Sequence, residues 1–300
     1  MIETEKRVEV PISRVPSPYQ LSKIPGLQWL LLLIPLAYIV FLMVFSMFGL
    51  FKLSIFDKNG FTLEYLSHIF LETVYLQVLW LTLKVSFIVT LMALIVSYPV
   101  AYLLVNTESS TWKKIIFAAV LIPFWISLLV RTFAWTIILQ EQGVINKFLM
   151  AIGLIDQPIP LLYNTTGVVI GMTHVLIPYM VLSLYSVMEG IDKRLIQASQ
   201  GMGAKPWKSF VQIFFPLSLP GVLSGSLLVF ILAMGYFITP ALLGGSKNMM
   251  ISMLIQNNVS TTLNWNLASA LALVLFVVTL LLLFLSYLLT RNNPVLKELN

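Results

Sequence analysis

The feature that most constrains this chain is a series of long stretches almost free of charged side chains. Residues 29–51 and 85–107 contain none, and 115–140 is interrupted only by Arg131. Three more lie inside 157–188, 209–246 and 248–290, with the last crossing expected from about Leu267. A helix needs about 20 apolar residues to cross a hydrocarbon core, so each stretch suffices for one crossing. In lipid the backbone must satisfy its own hydrogen bonds, which leaves helices or a closed barrel, and strand-like alternation is absent. The expected fold class is therefore all-α, a polytopic membrane bundle of six transmembrane helices. Only 10% of the residues are charged, against about 25% in soluble domains, which excludes an ordinary soluble fold.

The few charges fix an orientation. An even number of spans puts both termini on one side. That side carries Lys6, Arg7, Arg14, Lys23, Lys113, Lys114, Lys193, Arg194, Lys205, Lys208, Arg291 and Lys297, whereas the other has Lys52, Lys58, Lys147 and Lys247. Basic loops stay cytoplasmic, so both termini are expected there. Residues 1–26 form a polar tail with no leader-like apolar segment, 27–290 the six-span domain, and 291–300 a second tail. The net charge of +6 thus reads as a topology signal, and nucleic acid is not an expected partner.

Catalytic chemistry has little to work with. The chain has no cysteine and two histidines, no H-E-x-x-H motif, and no Asp or Glu in any expected span. An ion-coupled transporter would place ionisable pairs at mid-membrane, and that pattern is missing too. No phosphate-binding loop occurs; Gly201-Met202-Gly203 lacks the third glycine of a dinucleotide fingerprint. The chain is expected to be non-enzymatic and to bind no cofactor of its own.

The informative loop is 189–208, between the fourth and fifth spans. It combines a short amphipathic helix pattern, with Leu195, Ile196 and Ser199 on one face, with Gly201 and Gly203 as helix stops. A short projecting helix of this kind suits a docking element; a connector lying in the membrane interface is the alternative.

Here the sequence resembles a family. Gln197-Ala198-Ser199, Gly203, Ile213 and Phe215-Pro216 keep the spacing of the E-A-A, Gly, Ile, Leu-Pro signature of permease subunits of binding-protein-dependent ABC importers. Gln197 replaces the usual Glu, Ser199 the second Ala and Phe215 the Leu. A wider resemblance, to PotB-like spermidine/putrescine permeases with a MetI-like type I transmembrane domain, rests on Leu81-Thr82-Leu83-Lys84, Ser97-Tyr98-Pro99, Pro123-Phe124-Trp125, Gly143-Val144-Ile145-Asn146 and Ile238-Thr239-Pro240-Ala241-Leu242-Leu243-Gly244-Gly245. The resemblance implies a transport subunit that moves a small organic solute, most readily a polyamine, by alternating access. It also implies two cytoplasmic ATPase subunits carrying ATP and Mg, a second permease subunit and an external substrate-binding protein. Gln197, Ala198, Ser199, Gly201, Gly203, Lys205, Trp207, Ile213 and Pro216 would then form the ATPase-coupling site.

Within the spans the candidates for a pathway or gate are Arg131, Tyr236, Phe237 and Thr239. On a straight third helix Arg131 would lie about 24 Å beyond Ile115, toward the external leaflet, either as a structural arginine or as a gate. Relatives often carry an acid where this chain has Tyr236, which bears on how cationic the cargo is, although an aromatic face also meets cations. Lys84 reads as a snorkelling residue near the external start of the second span, and His174 as a hydrogen-bonded packing residue. Gly221 with Gly225 and Gly167 with Gly171 are small-residue pairs suited to close helix packing. Two sequons, at Asn164 and Asn258, are short enough to occur by chance. The acids Glu64, Glu72, Glu141 and Asp156 fall in the external connections, where solvated charge competes with a docking role.

Overall fold

A computed structural model describes residues 27–57, 60–245 and 248–291. The tails expected at 1–26 and beyond 291, and the charges Lys58 and Lys247, lie outside the described residues. The elements run in the order α1 (Leu27–Ile55), β1 (Phe56–Asp57), β2 (Gly60–Phe61), α2 (Glu64–Leu71), α3 (Thr73–Asn106), α4 (Ser110–Trp125), α5 (Leu128–Leu139), α6 (Val144–Ala151) and α7 (Thr165–Met188). They continue with α8 (Lys193–Gly201), α9 (Pro206–Ser209), a π-helical turn (Phe210–Phe214), α10 (Phe215–Gly235), α11 (Ile238–Leu243), α12 (Ile251–Ser260) and α13 (Trp265–Arg291). Strands β1 and β2 form a small antiparallel hairpin pairing Phe56 with Phe61.

Among the described residues, five helical segments are long and apolar enough to cross a membrane, and a sixth crossing is made if the bent pair of α4 and the segment 128–151 counts as one span. The chain separates into two units, 1–49 and 50–300. In the first, α1 exposes its side chains from Leu33 through Ser46. In the second, the core is built where α3, α7 and α10 pack together, around the fully buried Val89, Leu104, Met180, Leu184 and Val229. The small-residue pairs explain how these helices approach. A Cβ on Gly221 would sit 3.0 Å from that of Val187, and one on Gly225 2.9 Å from Met180 Sδ, so α10 lies against α7 through its glycines. Gly171 does the same toward Leu243 and Thr239 of α11.

Two expectations change. The second span begins at Thr73, not Val85, so Lys84 lies about 16 Å into α3 at ~1.5 Å per residue, with its side chain exposed. The third stretch is not one straight helix. It breaks at Ile126 and Ser127, which take extended backbone angles, and the following segment is bent by 101° from α4. Pro123 explains the weakness: it withholds a donor from the last turn of α4, and serine is a poor helix-interior residue. Counting rise along a straight helix therefore does not locate Arg131, which lies in the first turn of α5.

Candidate functional site

Helix α8 starts because Asp192 caps it, its carboxylate accepting from the Arg194 N–H at 2.9 Å. It stops at a Schellman turn: the Gly203 N–H donates to Gln200 O (2.9 Å) and the Ala204 N–H to Ser199 O (3.1 Å), with Gly203 at φ +91°. Gly203 alone takes the left-handed conformation; Gly201, also expected as a stop, is the last helical residue. Ile196 and Ser199 face inward, whereas Leu195, expected on that same face, is exposed together with Gln197 and Ala198.

The departure from the signature at Ser199 has a local partner. Ser199 is buried and donates to Ser209 Oγ at 2.7 Å, and Ser209 reaches Lys205 O at 3.4 Å. This bond ties α8 to α9, which opens with Pro206 at its first position, after Lys205. Trp207 is 74% exposed and stacks on Phe210 at 5.6 Å, and Met202 is 84% exposed. The outer face of α8 and α9 therefore exposes Leu195, Gln197, Ala198, Met202 and Trp207, beside the exposed cations Lys193, Arg194, Lys205 and Lys208.

The route from α9 into the bundle passes through the π-turn, where the Phe215 N–H bonds Phe210 O. Pro216 follows at once; it cannot donate, its ring crowds the preceding turn, and the widened turn relieves that crowding. Ile213 lies in this turn, half-buried. Phe210 packs edge-on to Tyr102 at 5.3 Å, Tyr102 edge-on to Phe214 at 5.0 Å, and Tyr98 donates to or accepts from Ser218 at 2.8 Å. The π-turn is thus joined by rings to α3.

A second cluster lies where α5, α7 and the 235–237 break meet. Trp135 Nε1 donates to His174 Nδ1 at 3.2 Å, in line with the packing role expected of His174. Arg131 is within electrostatic reach of His174 and Tyr236, and its buried Nε has no hydrogen-bond partner. Thr239 is fully buried and 3.5 Å from Thr132 Oγ1, while Phe237 is partly exposed.

Sequence reasoning assigned no role to three polar residues that order the opposite end of the molecule. Asn146 is fully buried, donates to Ile159 O (3.0 Å) and accepts from Ile159 N (2.9 Å), pinning the 140–159 connection. Thr82 accepts from the Ile251 N–H at 2.9 Å and fixes the start of α12. Asn164, noted only within a sequon, caps α7 by accepting from Gly167 N–H. Thr82 and Asn146 stood within the resembling motifs, but their partners lie far along the chain or in an irregular segment.

The family of binding-protein-dependent transport system inner membrane components matches residues 110–293, more than half of the chain. The chain belongs to that family. Among its relatives, the spermidine/putrescine transport system permease protein PotB of Haemophilus influenzae is 33% identical over 79% of this chain and 81% of its own. The PotB protein of Escherichia coli is 35% identical over 76% and 82%. A bacterial ABC transporter that imports the acidic polysaccharide alginate contains a chain of the same fold, at TM-score 0.69 and 18% identity over 89% of this chain and 96% of that one. The methionine ABC transporter MetNI contains another, at TM-score 0.56 and 19% identity over 72% and 94%. The chain is an ABC importer permease subunit, and its fold is that of type I importer permeases.

Proposed function

We propose that this permease subunit moves a small organic solute, a polyamine first among them, from an external binding protein to the cytoplasm by alternating access driven by ATP. The observation that carries the proposal is the identity to PotB proteins over four-fifths of their length. In this reading hydrolysis, with ATP and Mg, falls to two cytoplasmic ATPase subunits, and a second permease subunit completes the passage. The exposed face of α8 and α9 is the seat for one ATPase, with Gln197, Ala198, Met202 and Trp207 at the contact and Gly203, Lys205, Ile213 and Pro216 shaping the joint. This places both termini and α8 on the cytoplasmic side, consistent with the lysine and arginine distribution.

A second reading, importer of a different organic solute, is favoured by one observation. The cluster of Arg131, His174 and Tyr236 supplies donors and a cation, and none of the five unbroken spans carries an Asp or Glu. The test is reconstitution of the complete complex in proteoliposomes with labelled spermidine and putrescine, and a ligand screen on the partner binding protein. ATP-dependent uptake of either amine supports the first reading; ATP-dependent uptake of another solute selects the second. Uptake driven by a proton gradient without ATP overturns both.

A further inference from the structure

Lysine at the first position of a helix is placed against the helix dipole, yet α8 begins with Lys193 and has no acid in its first turn. The reason lies across the molecule. Lys193 Nζ donates to Val105 O at 2.9 Å. That carbonyl is one of the four at the end of α3 with no partner inside the helix, and α3 has no basic residue in its own last turn. Lys193 thus completes a helix end 88 residues away. Beside it, Glu189 at the end of α7 holds Lys113 of α4 at 2.9 Å, and the ammonium lies 5.3 Å from the centre of the Tyr185 ring. Hydrogen bonding from the Tyr185 hydroxyl and from Lys113 keeps the Glu189 carboxyl below its ordinary range, so the pair stays charged at neutral pH.

We infer that Lys193 is a positioning residue that carries movement of α8 directly into α3, beside the Lys113–Glu189 pair that holds α4 to the end of α7. This rests on the reading of α8 as the ATPase-docking helix. Ser199 ties the far end of α8 to α9, and the polar bond from its first residue to the α3 terminus holds the near end to the bundle, so α8 cannot tilt freely. Isolated surface ion pairs add little stability, so the effect belongs in coupling rather than in folding.

The test measures uptake per ATP hydrolysed by the reconstituted complex. Lys193→Met is expected to lower that ratio about tenfold, the scale of one lost charged hydrogen bond, while Lys193→Arg stays within about twofold of the parent. Lys113→Glu is expected to uncouple partially and Glu189→Lys in the same chain to restore the ratio. Because the chain has no cysteine, Val105→Cys with Lys193→Cys can be bridged by a short bismaleimide. Bridging is expected to restore the ratio that the two substitutions lower. An unchanged ratio in Lys193→Met overturns the inference, as does a bridge that fails to restore coupling, including when Lys193→Met does not assemble. Failure of the parent complex to couple ATP to uptake instead overturns the permease reading itself.

Discussion

Gly203 shows how one backbone angle ends a helix and turns the chain. At φ +91° an L side chain is strained even though a Cβ there would meet nothing within 4 Å, so the penalty is conformational and not a clash. Gly203→Asn should keep the most transport, Gly203→Ala less and Gly203→Val least; all three should reach the membrane in normal amount. Uptake normalised to membrane abundance checks the order, and equal uptake by the asparagine and valine variants would refute it. Trp207 and Phe210 form a complementary pair of tests. Trp207 is mostly exposed, so Trp207→Ala should change the melting of the isolated chain by no more than about 0.5 kcal/mol while weakening ATPase association in pull-down. Phe210 contacts Tyr98, Tyr102, Phe214 and Trp207, and Phe210→Ala should cost about 3 kcal/mol of stability by thermal unfolding in detergent.

The elements differ in how far they could be read from their own residues. The Gly203 stop and the spacing through Pro216 are local chemistry, so the end of α8 followed from sequence. The bond from Ser199 to Ser209 joins residues ten apart across a turn, and nothing in the pattern distinguished serine there from a neutral replacement. The break between α4 and α5 was hidden for a different reason. Hydropathy sees only the absence of charge, and residues 115–140 remain apolar through Pro123 and Ser127, so one stretch contained two directions. The seam between α7 and α10 was legible in outline, because small residues four apart mark close approach, but not which helix would receive them. Gly221→Leu should drive a side chain into Val187 and Leu184 and destabilise the chain by about 1–3 kcal/mol, measurable as a lower melting temperature in detergent. An unaltered melting temperature would show that the seam yields.

At the scale of the whole molecule, the helical membrane bundle was available from the distribution of charge. The two polar ties at the α8 end were not, since Lys193 and Val105 meet only after α3, α7 and α10 have packed. The same limit applies to Arg131, whose surroundings come from three separated segments. Arg131→Lys should keep a cation but lose the planar donor fork, and Arg131→Met should lose both. If Arg131 meets the cargo, the two variants should shift the KM for uptake by different factors at unchanged membrane abundance; identical loss in both, with lowered abundance, would assign it to folding.

The bend after α4 has a mechanical consequence. At 101°, only about a fifth of any displacement along the axis of α4 projects onto the segment that follows it. The remainder arrives broadside, as a sideways sweep of the first turn of α5. A thrust applied at Lys113 would therefore leave the elbow as lateral travel of Arg131, and the two apolar halves of one stretch act as crank and arm.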